Sequence, residues 1–297
     1  MRHAGDVLLA FLLMFGFAAS GPDATALSVS AAPEVSLNSA PAPARTLAEQ
    51  QHALLTLINQ TRGQAGLPAL AWDDRLAEAA TRHALIMAQQ GSLSHRYDGE
   101  PALMDRLTSQ NVRLDRASEN VVYDLTVEDA HRNFMGSPAH RANLLDPAFD
   151  AIGLGLVEVG GVWYIVEDFA HRLSDVSDEQ ATALLEASFD HLRRAAGAEE
   201  LTVVANSRLH EAAESMARHE TPDSKPALSL PDVRFAASYA TTDPAKLPAS
   251  VARLSAVRGL THYSVGVCYA RTPKYPGGLY WVTLVLFQSP EIRIAAR

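Results

Sequence analysis

Two apolar runs, AIGLGLVEV at 151–159 and VWYIVEDFA at 162–170, follow one another with only Gly160-Gly161 between them. Runs of this length and composition read as strands, and two glycines supply the positive φ values of a tight hairpin turn. The chain must therefore close an antiparallel pair here, and what comes before has to cover it. What comes before reads as helix. Leu54, Leu57, Ile58 and Ala65 share one helical face, and Gly66 follows as a C-terminal cap. Asp73 or Asp74 starts a second helix, with Leu76, Ala79, Ala80, His83 and Met87 on one face and Gly91 at its end. Asp98-Gly99 is a turn, and Pro101 opens a short helix, ALMDRL. Thr126 and Asp129 start VEDAHRNFM in a capping-box-like pattern, and Ser137-Pro138 start AHRANLL. The fold class is α+β.

A similar order follows. Ser177-Asp178-Glu179-Gln180 is a capping box opening a helix that ends at Gly197, and a second amphipathic helix follows Asn206. Strands YSVGVCYA and LYWVTLVLF close the chain, with Gly277-Gly278 between them. Leu54, Arg62, Ala65 and Gly66 match Leu185, Arg193, Ala196 and Gly197, and Arg75-Leu76 and Glu78 to Ala80 match Arg208-Leu209 and Glu211 to Ala213. Gly160-Gly161 match Gly277-Gly278. The expectation is two copies of one unit, the second shortened in its middle. Chance likeness between alanine-rich helices is the competing explanation.

The N-terminus reads as an export signal. Arg2 and His3 precede an apolar run at 7–19, and Ala24-Thr25-Ala26 offers a small-x-small cleavage site, with Ala18-Ala19-Ser20 as a second choice. Residues 1–26 are expected to be a signal peptide; an uncleaved anchor is the alternative. Residues 27–46, rich in Ala, Pro and Ser, read as a disordered linker. No later run is long enough to span a membrane. Cys268 is the single cysteine, which rules out an intrachain disulfide framework and cysteine-rich zinc or iron–sulfur sites. An exported chain without disulfides fits a bacterial secreted, periplasmic or envelope protein. With a net charge of −9, nucleic acid is not an expected partner. No organic cofactor motif is present: the chain has neither a P-loop nor G-x-G-x-x-G, and it also lacks G-x-S-x-G.

What remains is His95 in SLSHRYDG, Glu119 in ASENVV and His140 in GSPAHRANLL, each expected at an element edge or in a loop. Two imidazoles and a carboxylate suit an open metal site or general acid–base work. Spacing alone leaves open whether they meet.

The segments SLSH, SEN, FMGSPAHRANLL, DAIGLGL and WYIVEDFA, in this order over about residues 50–171, resemble the bacterial branch of the CAP superfamily, the SCP-domain family related to plant pathogenesis-related proteins. The resemblance implies an α-β-α sandwich around a small, mostly antiparallel sheet. It implies that His95, Glu119 and His140 line one cleft together with Asn120 and Ser137. His95 and His140 are the expected metal ligands, with zinc as the first choice, and Glu119 is catalytic only if the protein is a hydrolase. A second Glu of the eukaryotic branch would fall near Ser137 and is missing here.

The expected organisation is therefore 1–26 signal, 27–46 linker, 47–172 CAP domain and 173–297 a degenerate CAP-like domain without the site. Three functions stand open. The first is a non-catalytic binding module for a lipid, peptide or glycan. The second is a metal-assisted peptidase or nuclease. The third is a structural partner-binding protein with a vestigial cleft. Elsewhere, His83 reads as a core or rim histidine, His131 and His171 as solvated, and Cys268 as an inert core thiol. Half of Trp163, Tyr164, Tyr280 and Trp281 should be buried by strand alternation.

Overall fold

The computed structural model describes residues 45–288. The signal peptide expected over 1–26, and all but the last two residues of the expected linker, lie outside the described residues.

Helix α1 (Leu47–Gln64) starts in a full capping box between Thr46 and Glu49, and Gly66 follows it at positive φ. Strand β1 (Ala71–Trp72) leads into α2 (Asp74–Gln90), which Asp73 caps through the N–H groups of Arg75 and Leu76 and Gly91 terminates in the left-handed region. Next come α3 (Leu103–Ser109), β2 (Leu114–Asp124), α4 (Val127–Gly136) and α5 (Pro138–Leu144). The hairpin is β3 (Ala151–Val159) and β4 (Val162–Arg172), joined by Gly160-Gly161 as expected. These strands form a sheet in the order β1-β3-β4-β2, parallel only between β1 and β3.

Strand alternation sends the two sheet faces to different helices. Ile152, Leu154, Leu156, Ile165 and Phe169 pack on α1, α4 and α5 through Leu54, Ile58, Val127, Phe134 and Leu144. Ala151, Val166, Ala170 and Val121 meet α2 through Leu76, Ala79, Ala80, Ala84 and Met87. The result is the expected sandwich. Its tightest point is Gly153 and Gly155 of β3: a Cβ there would fall inside the α2 backbone at Leu76–Ala77 and Ala80–Thr81. Arg62, fully buried, gathers the carbonyls of Pro68 (2.9 Å), Leu144 (2.9 Å), Asp146 (3.0 Å) and Phe149 (3.2 Å), holding the loops around α5 to α1.

The remainder comprises α6 (Asp178–Ala195), β5 (Thr202–Val203), α7 (Ser207–His219), α8 (Lys225–Leu228), β6 (Val233–Thr241), α9 (Ala249–Leu254), β7 (Leu260–Ala270) and β8 (Leu279–Gln288). Its sheet has the order β5-β7-β8-β6, again parallel only in the first pair. Gly266 of β7 meets the α7 backbone at Leu209–His210. Arg193, also buried, bonds the carbonyls of Glu199, Ser255 and Val257. Residues 271–278 connect β7 to β8, so Gly277-Gly278 end a long connection and do not form a two-residue turn. The expected pairing of Gly277-Gly278 with Gly160-Gly161 is corrected accordingly.

That connection touches the first sheet. Arg271 donates to the carbonyls of Thr108 (2.7 Å), in the last turn of α3, and Val112 (3.2 Å), just past it, and Leu114 N–H donates to Gly277 O (3.4 Å). Arg113 reaches the other way, donating to Val176 O (2.8 Å) and Tyr280 Oη (2.9 Å) with its guanidinium 3.8 Å above the Tyr269 ring.

Several expectations change. Strands β2 and β6 were not foreseen, so Glu119 stands in mid-strand and not at an edge. His131 is buried, with Nε2 2.9 Å from Thr61 Oγ1. Half of the four aromatics are buried, as expected, but the buried two, Tyr280 and Trp281, are neighbours, because β8 is an inner strand covered on both faces. Cys268 is only partly buried, and its thiol is pushed up to about 11 by desolvation, which keeps it inert.

Replacing Gly153 with Ala should lower stability by more than about 2 kcal/mol, since α2 must move off the sheet. Thermal unfolding of the purified variant measures this, and an unchanged midpoint would contradict the close approach.

Candidate functional site

Because α2 is seated on the sheet, His83 is fixed and fully buried. Its Nδ1 lies 2.7 Å from Glu100 Oε1 and its Nε2 2.8 Å from Ser94 O. Glu100 Oε2 accepts from Tyr97 N–H at 3.0 Å. One imidazole thus pins both ends of the 94–100 loop, which carries His95. The His95 side chain is 62% exposed, and its Nδ1 is 2.9 Å from Oε1 of the buried Glu119. Arg106 of α3 closes the network. It donates through Nη1 to His95 O at 3.1 Å and through Nη2 to Glu119 Oε2, and it stands 3.4 Å from Glu100 Oε1.

Residues 119 and 120 face opposite sides of the sheet. Asn120, fully buried, donates to His140 O (3.1 Å) and to Glu167 Oε2 (2.9 Å) and accepts from Asn143 Nδ2 (2.9 Å). Asn143 therefore ties α5 to β2. This brings in His140, whose ring meets Phe134 edge-on at 5.3 Å. Ser137 is the N-cap residue of α5 and makes no side-chain cap bond.

The charge balance is unusual. Glu119 and Asp168 are cross-strand partners, and Glu100 stands close to the same arginine. Asp168 is fully buried, and neither carboxylate oxygen has a partner. Burial first, then the charge of Glu119, raises it well above the usual carboxylate range. Burial also raises Glu167 to about 8. His95 is raised by its hydrogen bond to Glu119, and His140 is lowered by desolvation and then by the charge of His95. Among the described residues, no three His, Cys, Asp or Glu side chains form a metal cage.

Of the expected cleft residues His95, Glu119, Asn120, Ser137 and His140, the structure brings His95 against Glu119 and Asn120 against the carbonyl of His140. Sequence reasoning missed Arg106, which carried no signal within ALMDRL. It also missed Glu167 and Asp168, although two adjacent carboxylates inside an apolar strand are such a signal. His83 is a core histidine, as expected, and its bonds hold the loop of His95.

With this geometry in hand, the relatives can be placed. Residues 55–169 match the model of the CAP family, described as the cysteine-rich secretory protein family. Over this segment the chain is similar to CAP domains. The uncharacterized protein YkwD of Bacillus subtilis (strain 168) is 30% identical over 111 residues, 37% of this chain and 43% of that protein. The uncharacterized membrane protein YlbC of the same organism is 32% identical over 113 residues, 38% of this chain and 32% of that protein. The chain thus spans less than half the length of either curated relative. Among solved structures, an extracellular protein containing a SCP domain from Bacillus anthracis str. Ames is 27% identical with a TM-score of 0.40, covering 42% of this chain and 41% of that one.

Glu167→Gln keeps the acceptor for Asn120 and removes the titration. In wild type, folded Glu167 holds its proton to about 8 while the unfolded residue releases it near 4.5, so stability falls as pH rises between these values. The variant should gain on wild type from about pH 5 to about pH 8 in urea unfolding. A constant difference across that range would refute the assignment.

Proposed function

We propose that this is an exported binding protein whose CAP domain holds a divalent metal through His95 and His140 and presents it, in a cleft, to a lipid, peptide or glycan ligand. The observation that carries this reading is the engagement of Glu119. Its two oxygens already accept from His95 and Arg106, an arrangement that fits a carboxylate orienting an imidazole better than one left free as a base. The same arrangement suits metal binding. A ligating histidine commonly donates its other N–H to a carboxylate, and Glu119 would orient His95 in this way while Nε2 turns to the metal. His140, lowered by desolvation, favours the neutral form a ligand needs. When bound, the metal would supply a Lewis-acid anchor for a donor group of the ligand, with water in the remaining positions. Metal-assisted hydrolysis, with Glu119 as base, requires Arg106 to release it.

We read 173–297 as a degenerate copy of the CAP unit. Support comes from the shared strand order, from Gly266 against α7 as Gly153 is against α2, and from Arg193 gathering carbonyls as Arg62 does. Both sheets also have a register shift, between Leu114 and Arg116 in β2 and between Val233 and Phe235 in β6. Glu119 with Asp168 is the fourth pair counted from Arg116, and Ser238 with Thr283 is the fourth from Phe235. Their hydroxyls lie 3.3 Å apart. The charged pair thus becomes a neutral one, which fits a packing or recognition role. Export through the N-terminal segment agrees with the extracellular description of the Bacillus anthracis protein.

Zinc titration by calorimetry, beside His95→Ala/His140→Ala, tests the reading. One-to-one binding lost in the double variant is expected, and no binding by wild type refutes it. Because His95 is raised, affinity should begin to fall above the ordinary histidine value of 6.5 as pH drops, since proton and metal compete for the imidazole. Affinity that stays flat down to about pH 5 would exclude both histidines as ligands.

A further inference from the structure

The edge of the first sheet is closed at β2, and that of the second is open at β6. The two strands hold the same place, last in the orders β1-β3-β4-β2 and β5-β7-β8-β6. Segments 91–113 and 125–150, with α3, α4 and α5, flank β2. They leave Glu119, Asn120 and Val121 buried, and Asn143 Nδ2 donates to Glu119 O at 3.4 Å. The segments that flank β6, 220–232 and 242–259, are shorter and hold only the short helices α8 and α9. Every residue from Val233 to Thr241 keeps some exposure. Among the described residues, β8 is the only backbone partner of β6, and no side chain bonds the β6 backbone. Both faces of the strand are occupied. Phe235, Ala237 and Tyr239 pack with the cluster that holds α6, and Ala236 and Ala240 with those that hold α7. What lies open is the outer row of N–H and C=O groups. Edge strands are normally guarded by charges or prolines. Strand β2 carries Asp115, Arg116, Glu119 and Asp124. Strand β6 runs FAASYAT from Phe235 to Thr241, with neither a charge nor a proline, and four of those seven residues are Ala or Ser. A second backbone can come alongside it.

We propose that β6 pairs with β6 of a second copy of this chain, antiparallel about Ser238, joining two four-stranded sheets into one. The charges at the two ends of the strand select this occupant and this direction. Arg234 is exposed at its start, and Asp243 is exposed two residues past its end. Ser238 is the middle residue of the uncharged run between them. Antiparallel pairing about Ser238 brings Arg234 of one copy beside Asp243 of the partner subunit, and the two-fold axis makes that match twice. Parallel pairing would set like charges together. The new ladder gives the outer N–H and C=O groups protein partners in place of water. Both faces are already covered by helices, so the contact is mostly ladder and the dimer is weak, with Kd of about 10 μM. The comparison of the two edges uses strand order alone, so it holds whether or not 173–297 is a copy of the CAP unit, and nothing in it depends on metal at His95.

The test is sedimentation equilibrium of the full chain, in wild type and in charge-swapped variants. A reversible monomer–dimer equilibrium is the expected result. Arg234→Glu should weaken the dimer about tenfold, and Arg234→Glu/Asp243→Arg should restore it. Both positions are exposed, so these variants keep the fold. The register is read by cross-linking under mild oxidation in a Cys268→Ser background. Ser238→Cys lies on the two-fold axis and should give a disulfide-linked dimer. Ala236→Cys faces Ala240 of the partner subunit and should give none. A chain that stays monomeric up to about 300 μM overturns the proposal. So does a dimer that is indifferent to the charge swaps and does not cross-link at position 238, because its interface then lies elsewhere.

Discussion

Everything near His95 depends on one contact between backbones, α2 lying on β3 where Gly153 and Gly155 carry no side chain. The contact sets the height of α2 above the sheet. That height places His83 where it reaches both Glu100 and Ser94, and those bonds shape the loop that presents His95 to Glu119. None of these later steps carries much energy on its own. Each is a short polar bond between groups that backbone packing has already brought together, so a shift of α2 would displace the whole sequence at once.

The chemistry of the site follows from how charge is buried. Three carboxyl groups, Glu100, Glu119 and Asp168, share one arginine in a volume closed to water. Burial, and then the charge of Glu119, raises Asp168 well above the usual carboxylate range. Glu119 is held on both oxygens, by His95 and by Arg106. On the opposite face, Glu167 and Asn120 repeat the theme in neutral form, fixing α5 and with it His140.

Much of this was legible in the residues themselves. Caps at Asp73, Thr126 and Ser177 announced their helices because capping is a local interaction between neighbours in sequence. The strands β3, β4, β7 and β8 were legible as apolar runs because the inner strands are covered on both faces. Strand β2 was hidden for the opposite reason. It lies at the sheet edge, and its polar residues, Ser118 to Asn120, are spent on the site rather than on a core. Arg106 was hidden because nothing local distinguishes a helical arginine that points at solvent from one buried among carboxylates. His131 misled for the same reason, since its burial depends on Thr61, far away in the sequence.

The seam between the two sheets has a practical bearing. Arg113 leaves the first sheet to stack on Tyr269 and bond Val176 and Tyr280, while Arg271 returns to close the carbonyl end of α3, the helix that bears Arg106. A fragment cut after residue 172 would carry the whole segment that matches the family model, with His95, Arg106 and Glu119 in it. It would also have lost the clasp on α3 and gained an unmatched arginine in water. Ligand screens on such a trimmed fragment would report on a loosened relative of this site, and a negative result from one would say little about the intact chain.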